Sequence, residues 1–347
     1  MSNKSKLTLI VDGNWLLISR MAVIHSRYAD EHQLCRDLKV MMIKSLNIVL
    51  KQFQKIDNII FVADGGSWRN HLEKPSFITD DYKGTRVQDP TINWDLIFES
   101  YEDFLNKLRQ EGITVCKESG IEGDDWCWYW SNKLNNEDTN VMIWSRDKDL
   151  TQLVKTNKDG CFTVCWNKDT GVITSKRDDN EMDFLFNMKF NTNEEIYNYI
   201  IDKAKNVKEI NVNDIIIDKI IRGDLGDNIL PVVFRKSKSG NEKQYRISQK
   251  DLNLSLDIHN KQDIENYFEN LLNSKSYKDR VDKPIQNIVE HFEYNKKLVV
   301  LEEESYPIEI LSIMNEYKTY NCNKNVSNVE NVLLADKNEM NAILDFI

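Results

Sequence analysis

The sequence predicts an α/β fold: a mostly parallel central sheet flanked by helices, followed by a smaller helical C-terminal domain. Three observations carry that prediction. Short β-rich apolar runs recur through the first half, each followed by a helix-like segment, the grammar of a parallel sheet covered by helices. Several of these runs end in, or lead into, acidic residues. From about residue 190 the strand-like runs give way to short amphipathic helical patterns.

The elements follow in order. Leu7 to Val11 is the first run and ends at Asp12; Ile59 to Ala63 is the second and ends at Asp64. Ile113 to Cys116 precedes Glu122, Val141 to Ser145 precedes Asp147, and Cys161 to Trp166 resembles a fifth strand. A long excursion, about 66–110, separates the second run from the third. It opens on Gly65-Gly66-Ser67-Trp68-Arg69, passes Asp80-Asp81-Tyr82-Lys83-Gly84-Thr85-Arg86, and returns through a helix expected from Trp94 to Gln110. An insertion this long at the carboxyl edge of a sheet is a candidate arch or lid. Asn213 to Ile221 reads as a helix running into Gly223-Asp224-Leu225-Gly226-Asp227-Asn228. Residues 232–250 are locally basic, with Arg235, Lys236, Lys238, Lys243, Arg246 and Lys250 against one acid, Glu242. The expected division is an α/β domain at 1–195, with an arch insertion at about 66–105, and a helical domain at 196–347.

Composition sets outer bounds. A chain of 347 residues, 41% hydrophobic and 29% charged, fills a sizeable core and suggests about two domains. Low glycine and proline, 12 and 5 residues, exclude a collagen-like chain. No apolar run approaches a membrane span, and the opening apolar run is too short for a signal peptide, so a cytoplasmic location is expected. Six scattered cysteines without a Cys-x-x-Cys pair read as reduced thiols. A net charge of -10 argues against a generic nucleic-acid binder unless the acids are committed elsewhere.

Their placement suggests where. Asp12, Asp64, Glu122-Gly123-Asp124-Asp125 and Ser145-Arg146-Asp147-Lys148-Asp149 all fall just after strands and at helix starts. One such aspartate reads as a helix cap. Recurrence changes the reading, because in a parallel sheet these positions converge on one edge, where open α/β sheets bind ligands. Converging carboxylates repel one another unless a cation joins them. No histidine or cysteine cluster accompanies them, so a hard ion fits: Mg2+, with Mn2+ as a substitute. Two ions about 4 Å apart would suit phosphodiester hydrolysis.

In this order the motifs resemble the flap endonucleases and 5′–3′ exonucleases of the PIN-like superfamily, over about residues 7–250. Tyr82-Lys83-Gly84-Thr85-Arg86 resembles the basic motif at that family's arch. The compact length, reduced arch and divergent C-terminal half are most similar to the ribonuclease H branch of T-even-type bacteriophages. The resemblance implies a Mg2+-dependent 5′-nuclease of the RNase H and flap type. It would remove primers, and flaps, from RNA–DNA and DNA duplexes in phage DNA replication. Asp12, Asp64, Asp124 and Asp147 would surround the first of two ions. Glu122, Asp125, Asp149 and Asp227, the last favoured over Asp224, would serve the second or its waters. Lys83 and Arg86 would act on the scissile phosphate beside Asp12, Asp64 and Asp147, with Tyr82 stacking a base. Arg69, Tyr82, Lys83, Arg86, Arg235, Lys236, Lys238, Lys243 and Arg246 would form the nucleic-acid contacts.

The sequence departs from the family after Asn228. The glycine-rich half of the helix–three-turn–helix, which offers backbone to a duplex phosphate and a potassium ion, is replaced by Ile229-Leu230-Pro231-Val232-Val233-Phe234-Arg235-Lys236. The basic run is expected to take over phosphate contacts through side-chain charge, giving structure-selective, salt-sensitive binding. Two other readings stand beside the first: a PIN-type ribonuclease acting on single-stranded RNA, and a catalytically inactive protein binding branched DNA. A single-stranded-DNA-binding protein or sliding clamp would be the partner of a replication nuclease, and nothing demands more than a monomer. The tail from Cys322 to Ile347 reads as a last packed helix or a docking point.

Overall fold

A computed structural model describes residues 6–27, 30–157, 160–176, 191–237, 244–281 and 283–317. The predicted tail from Cys322, together with Lys238 and Lys243, lies outside them. The chain divides into two compact units, Met1–Ser67 with Gln88–Ile210 and Pro307–Ile347, and Trp68–Val87 with Asn211–Tyr306.

The first unit is built on the sheet. β1 (Lys6–Asp12) pairs in parallel with β2 (Asn58–Val62) on one side and β4 (Thr139–Trp144) on the other. β3 (Thr114–Cys116) extends it beyond β2, and β6 (Phe162–Asn167) beyond β4, both in parallel. These are the five runs expected, in the order β3-β2-β1-β4-β6. β1 is central because its residues are buried on both faces. Leu7, Leu9 and Val11 enter one core cluster with residues of the flanking helices, while Thr8 and Ile10 are fully buried on the opposite face. The chain passes from β1 outward to β3 and then returns to β4 on the other side of β1. The strand order therefore reverses between β1 and β4, where open sheets form a ligand crevice.

α1 (Gly13–Ile24) starts directly from β1, and α2 (Glu31–Gln52) buries Leu38, Met42, Leu46 and Val49 on one stripe. α3 (Trp94–Gln110) has the predicted bounds, and α4 (Gly123–Asn136) buries Trp126 and Trp130 against the sheet.

Among the described residues of this unit, three strands were not expected. β5 (Lys155–Thr156) and β7 (Gly171–Ser175) pair antiparallel with β6, and β8 (Val207–Ile210) adds in parallel to β7. β8 reads Val-Lys-Glu-Ile, is largely exposed, and is held by backbone pairing, so it leaves no apolar run in the sequence. α5 (Asn191–Ala204) and β8 belong with the sheet, which extends this unit to residue 210 instead of 195.

The second unit is helical around its own core. α6 (Val212–Arg222), α7 (Lys261–Asn273) and α8 (Ile285–Val299) contribute Ile217, Ile221, Phe268, Ile288 and Phe292. Part of the predicted arch groups here because it brings apolar residues of its own: Leu72, Phe77, Ile78 and Tyr82 pack in this core. Residues 234–237 and 244–246 are not helical. β9 (Phe234–Lys236) and β10 (Gln244–Arg246) form an antiparallel pair where the family likeness places the second helix of its motif. α9 (Ile308–Glu316) returns to the sheet unit, where Tyr317 Oη donates to Glu118 and its ring packs tilted against Trp126. No helix among the described residues is long and apolar enough to cross a membrane.

Candidate active site

The acids that end the strands gather at the carboxyl edge of the sheet, on both sides of the reversal point. Asp12 ends β1 and caps α1: its Oδ1 accepts from the Trp15 amide at 2.9 Å. Its Oδ2 accepts from Ser145 Oγ at 2.7 Å, across from the end of β4. The same Ser145 Oγ accepts from the Asp147 amide at 2.9 Å, so one hydroxyl joins the ends of β1 and β4. Gly13, next in the chain, lets the start of α1 lie close against β2 and α3. A Cβ there would stand 2.3 Å from the Phe61 ring and from Tyr101 Oη.

Asp64 follows β2. Its Oδ1 accepts from the Gly123 amide at 2.7 Å, at the N-terminus of α4, and its Oδ2 from Asn14 Nδ2 at 2.6 Å. Asn14 Oδ1 in turn accepts from the Asp64 amide at 3.2 Å. Glu122 and Asp125 form a capping box on α4; Asp125 Oδ2 accepts from the Glu122 amide at 3.0 Å, and Glu122 Oε2 from Ser67 Oγ at 2.6 Å. Asp149 begins a short 3-10 helix (Asp149–Leu153), and its amide donates to Asp147 Oδ1 at 2.9 Å.

Both sequence readings of these acids are therefore visible at once. Each is tied to a helix or turn start, and together they share one field. Burial pushes the Asp12 carboxyl up from 3.8 to about 7, against the lowering effect of Ser145 and the Trp15 amide, and the charges of Asp64 and Asp147 add to the rise. The buried Cys127 thiol, raised mainly by burial, feels Asp12, Asp124 and Asp147 together. The structure thus brings Asp12, Asp64, Asp124 and Asp147 into one neighbourhood, with Glu122, Asp125 and Asp149 beside it in sequence.

The fit to a metal ion follows from that electrostatics. A 7% exposed carboxylate among like charges costs desolvation and repulsion that a divalent cation removes, and the donors are hard oxygens. As the side chains stand, no group of three His, Cys, Asp or Glu among the described residues is arranged to hold an ion. Both oxygens of Asp12 and of Asp64, and one each of Glu122, Asp125 and Asp147, are bonded to the amides, hydroxyls and amide side chain named above.

Asp227, Lys83 and Arg86 belong to the other unit. There Asp227 Oδ1 pairs with Arg86 Nη2 at 2.5 Å, and its carbonyl accepts from the Lys83 amide at 2.8 Å. Asp224 pairs with Lys219 at 2.8 Å. Burial would raise the Asp224 carboxyl, but Lys219 and the Gly226 and Asp227 amides outweigh it and hold it below the usual range. Lys83 Nζ lies 4.9 Å from the centre of the Tyr82 ring.

The predicted nucleic-acid residues separate by burial. Arg69 is 3% exposed, donates through Nε to the Leu298 carbonyl at 3.1 Å and lies over Trp68, which places it inside its unit and away from the surface a phosphate contact needs. Arg235 is half-buried over Tyr277, Arg246 is half-buried and Lys236 is exposed. The sequence reading missed Ser145, Asn14 and Ser67, which hold the acids. The first two lie inside or beside the acidic motifs, and that adjacency was the available signal.

Residues 7–183 match the family model described as the 5′-3′ exonuclease, N-terminal resolvase-like domain. Curated relatives named 5′-3′ exonuclease include that of Buchnera aphidicola, 28% identical over 137 residues, covering 39% of this chain and 43% of the relative. Another, from Mycoplasmopsis pulmonis, is 26% identical over 159 residues, covering 45% and 48%. The chain thus matches less than half the length of these relatives. Among solved structures, a bacteriophage T5 5′-exonuclease with bound zinc aligns over 94% of this chain and 98% of its own, with a TM-score of 0.54 and 18% identity. A T5 flap endonuclease in a pseudo-enzyme–product complex with DNA and metal ions aligns over the same shares, with a TM-score of 0.52 and 19% identity. The fold is shared at these identities.

Proposed function

The chain belongs to the 5′-3′ exonuclease family, and from that premise we propose that it is a Mg2+-dependent 5′-nuclease acting on RNA–DNA and DNA duplexes that carry a 5′ end, nick or flap. Removal of primers and flaps during DNA replication is the corresponding role. The observation that carries the reading is the gathering of Asp12, Asp64 and Asp147 at the reversal point of the sheet, with the buried Asp12 carboxyl pushed up to about 7.

Asp12, Asp64, Asp124 and Asp147 would hold the first ion, and Glu122, Asp125 and Asp149 would hold a second or its waters. Bound there, divalent ions supply a water of lowered pKa and stabilise the charge that develops on the phosphate. The chain's own residues set the stage for that chemistry. Ser145 keeps one Asp12 oxygen and the Asp147 amide in register, and Asn14 does the same for Asp64. The N-terminus of α4 favours the negative charge of Asp64. Lys83 and Arg86 are assigned to the substrate's phosphates. Backbone contacts of this kind select structure and carry no sequence code.

The reading is tested by comparing a 5′-flap duplex with a single-stranded RNA of equal length, with Mg2+ present. Cleavage of the flap duplex at least about tenfold faster supports it. Preference for the RNA would move the protein to the single-strand ribonucleases.

A further inference from the structure

The acids of Gly223-Asp224-Leu225-Gly226-Asp227-Asn228 belong to the helical unit and have partners of their own within it. The turn is tight: Gly223 has φ +68, and Asp224 and Ile229 close an isolated bridge. Both acids already have cations, Lys219 for Asp224 and Arg86 for Asp227. The second pair joins segments about 140 positions apart in sequence, and it does not act alone. The Asp227 carbonyl accepts the Lys83 amide at 2.8 Å, Asn228 Nδ2 donates to the Asp81 carbonyl at 2.8 Å, and the Arg86 amide donates to the Lys83 carbonyl at 3.1 Å. Arg86 Nε reaches the Gly226 carbonyl at 3.5 Å.

Lys83 sits at the centre of this lacework with φ +56. A lysine takes that backbone conformation only where its surroundings hold it. Here they do so from both sides, through the Lys83 amide to Asp227 and the Lys83 carbonyl to Arg86. The Asp227 side chain is 15% exposed and that of Arg86 58%, so the pair is anchored on the Asp227 side and solvated on the Arg86 side. The Asp227 Oδ1 is thereby committed to a guanidinium.

We propose that Asp227 is a positioning residue: by holding Arg86 through its carboxylate and Lys83 through its carbonyl, it sets the conformation of the Tyr82–Arg86 segment, and it is not a metal ligand. The inference deepens the 5′-nuclease reading and rests on it, since the segment it positions is the one assigned to the substrate's phosphates. Asp227→Asn then acts through Arg86, and Arg86→Gln removes that pair together with the phosphate contact it positions. A metal-ligand role for Asp227 would make their effects independent.

The test is a double-variant cycle in the full chain. Single-turnover cleavage of a 5′-flap duplex with Mg2+ is measured for Asp227→Asn, Arg86→Gln and the double variant. Calorimetric titration with Mg2+ accompanies it, and hydrogen–deuterium exchange of the peptide containing Lys83 is followed in each protein. Each single variant is expected to cleave at least tenfold more slowly. The double variant should be no slower than the worse single one. The number of Mg2+ ions bound by Asp227→Asn should equal that of the wild type, and exchange at the Lys83 peptide should quicken in both single variants. Multiplying losses, or one fewer ion bound by Asp227→Asn, would overturn the proposal. If the wild type itself does not cleave, the nuclease reading fails, and the exchange data alone still decide the latch: unchanged exchange in both variants would refute it.

Discussion

At the scale of single residues, Asp12 shows how one carboxylate serves two ends. It caps α1 and also faces Ser145, and its burial beside Asp64 and Asp147 raises it to about 7. Between its ordinary 3.8 and about 7 the folded protein therefore holds a proton that the unfolded chain has released. Without metal, the contribution of this group to stability is fully present below about pH 4 and is lost as pH rises towards 7. Asp12→Asn is expected to raise the metal-free melting temperature at pH 8, flatten its pH dependence between 4 and 7, and abolish the stabilisation that Mg2+ gives. Differential scanning calorimetry with and without EDTA measures all three. A metal-free melting temperature lowered by Asp12→Asn would show the carboxylate to be a net stabiliser as a cap.

Ser145 makes a second residue-scale case. Its hydroxyl donates to the Asp12 carboxylate and accepts from the Asp147 amide, so Ser145→Ala loosens one Asp12 oxygen and the Asp147 backbone at once. Residues that orient metal ligands cost about 10- to 100-fold in affinity or activity when removed. A loss of that size is expected in Mg2+-dependent cleavage by Ser145→Ala, with the fold retained by circular dichroism. Activity within twofold of the wild type would make the hydroxyl incidental.

At the scale of elements, what the sequence could show follows from what drives each one. The five strands buried on both faces wrote apolar runs, and α3 wrote a periodic stripe with Asn93 as its cap, so these were legible. β8 was not, because its order comes from backbone pairing with β7 while its side chains stay largely exposed. The grouping of residues 68–87 with the helical unit was hidden for another reason: Leu72, Phe77 and Ile78 are too few and too irregular to announce which core they join. The acids of the sheet edge were legible from recurrence alone. The commitment of Asp227 to Arg86 was not, since it depends on a turn and an insertion far apart in sequence. The junction of β1 and α1 offers the element-scale prediction. Gly13→Ala forces a methyl against Phe61 and Tyr101 and is expected to cost about 3 kcal/mol in urea unfolding. A change under about 0.5 kcal/mol would mean that α1 can withdraw from the strand end.

At the scale of the whole molecule, the net charge of -10 is spread unevenly. A group of acids lies at the edge of the sheet, while Lys83, Arg86, Lys236 and Arg246 belong to the helical unit. Binding that depends on a handful of phosphate contacts, against an acidic background, should be steeply salt-dependent. Affinity of Asp147→Ala for a nicked duplex, read by fluorescence anisotropy, is expected to fall on the order of 100-fold between 50 and 200 mM salt. A change of less than about threefold would argue against phosphate contacts as the source of affinity.

The central claim is that the acids gathered at the reversal point of the sheet form a metal-dependent phosphodiesterase site. Cleavage of an end-labelled 5′-flap duplex by the wild type and by Asp147→Ala, each with Mg2+ and with EDTA, tests it most directly. The account predicts cleavage only by the wild type with Mg2+, while Asp147→Ala still binds the duplex. Undiminished cleavage by Asp147→Ala, or wild-type cleavage unaffected by EDTA, would contradict it.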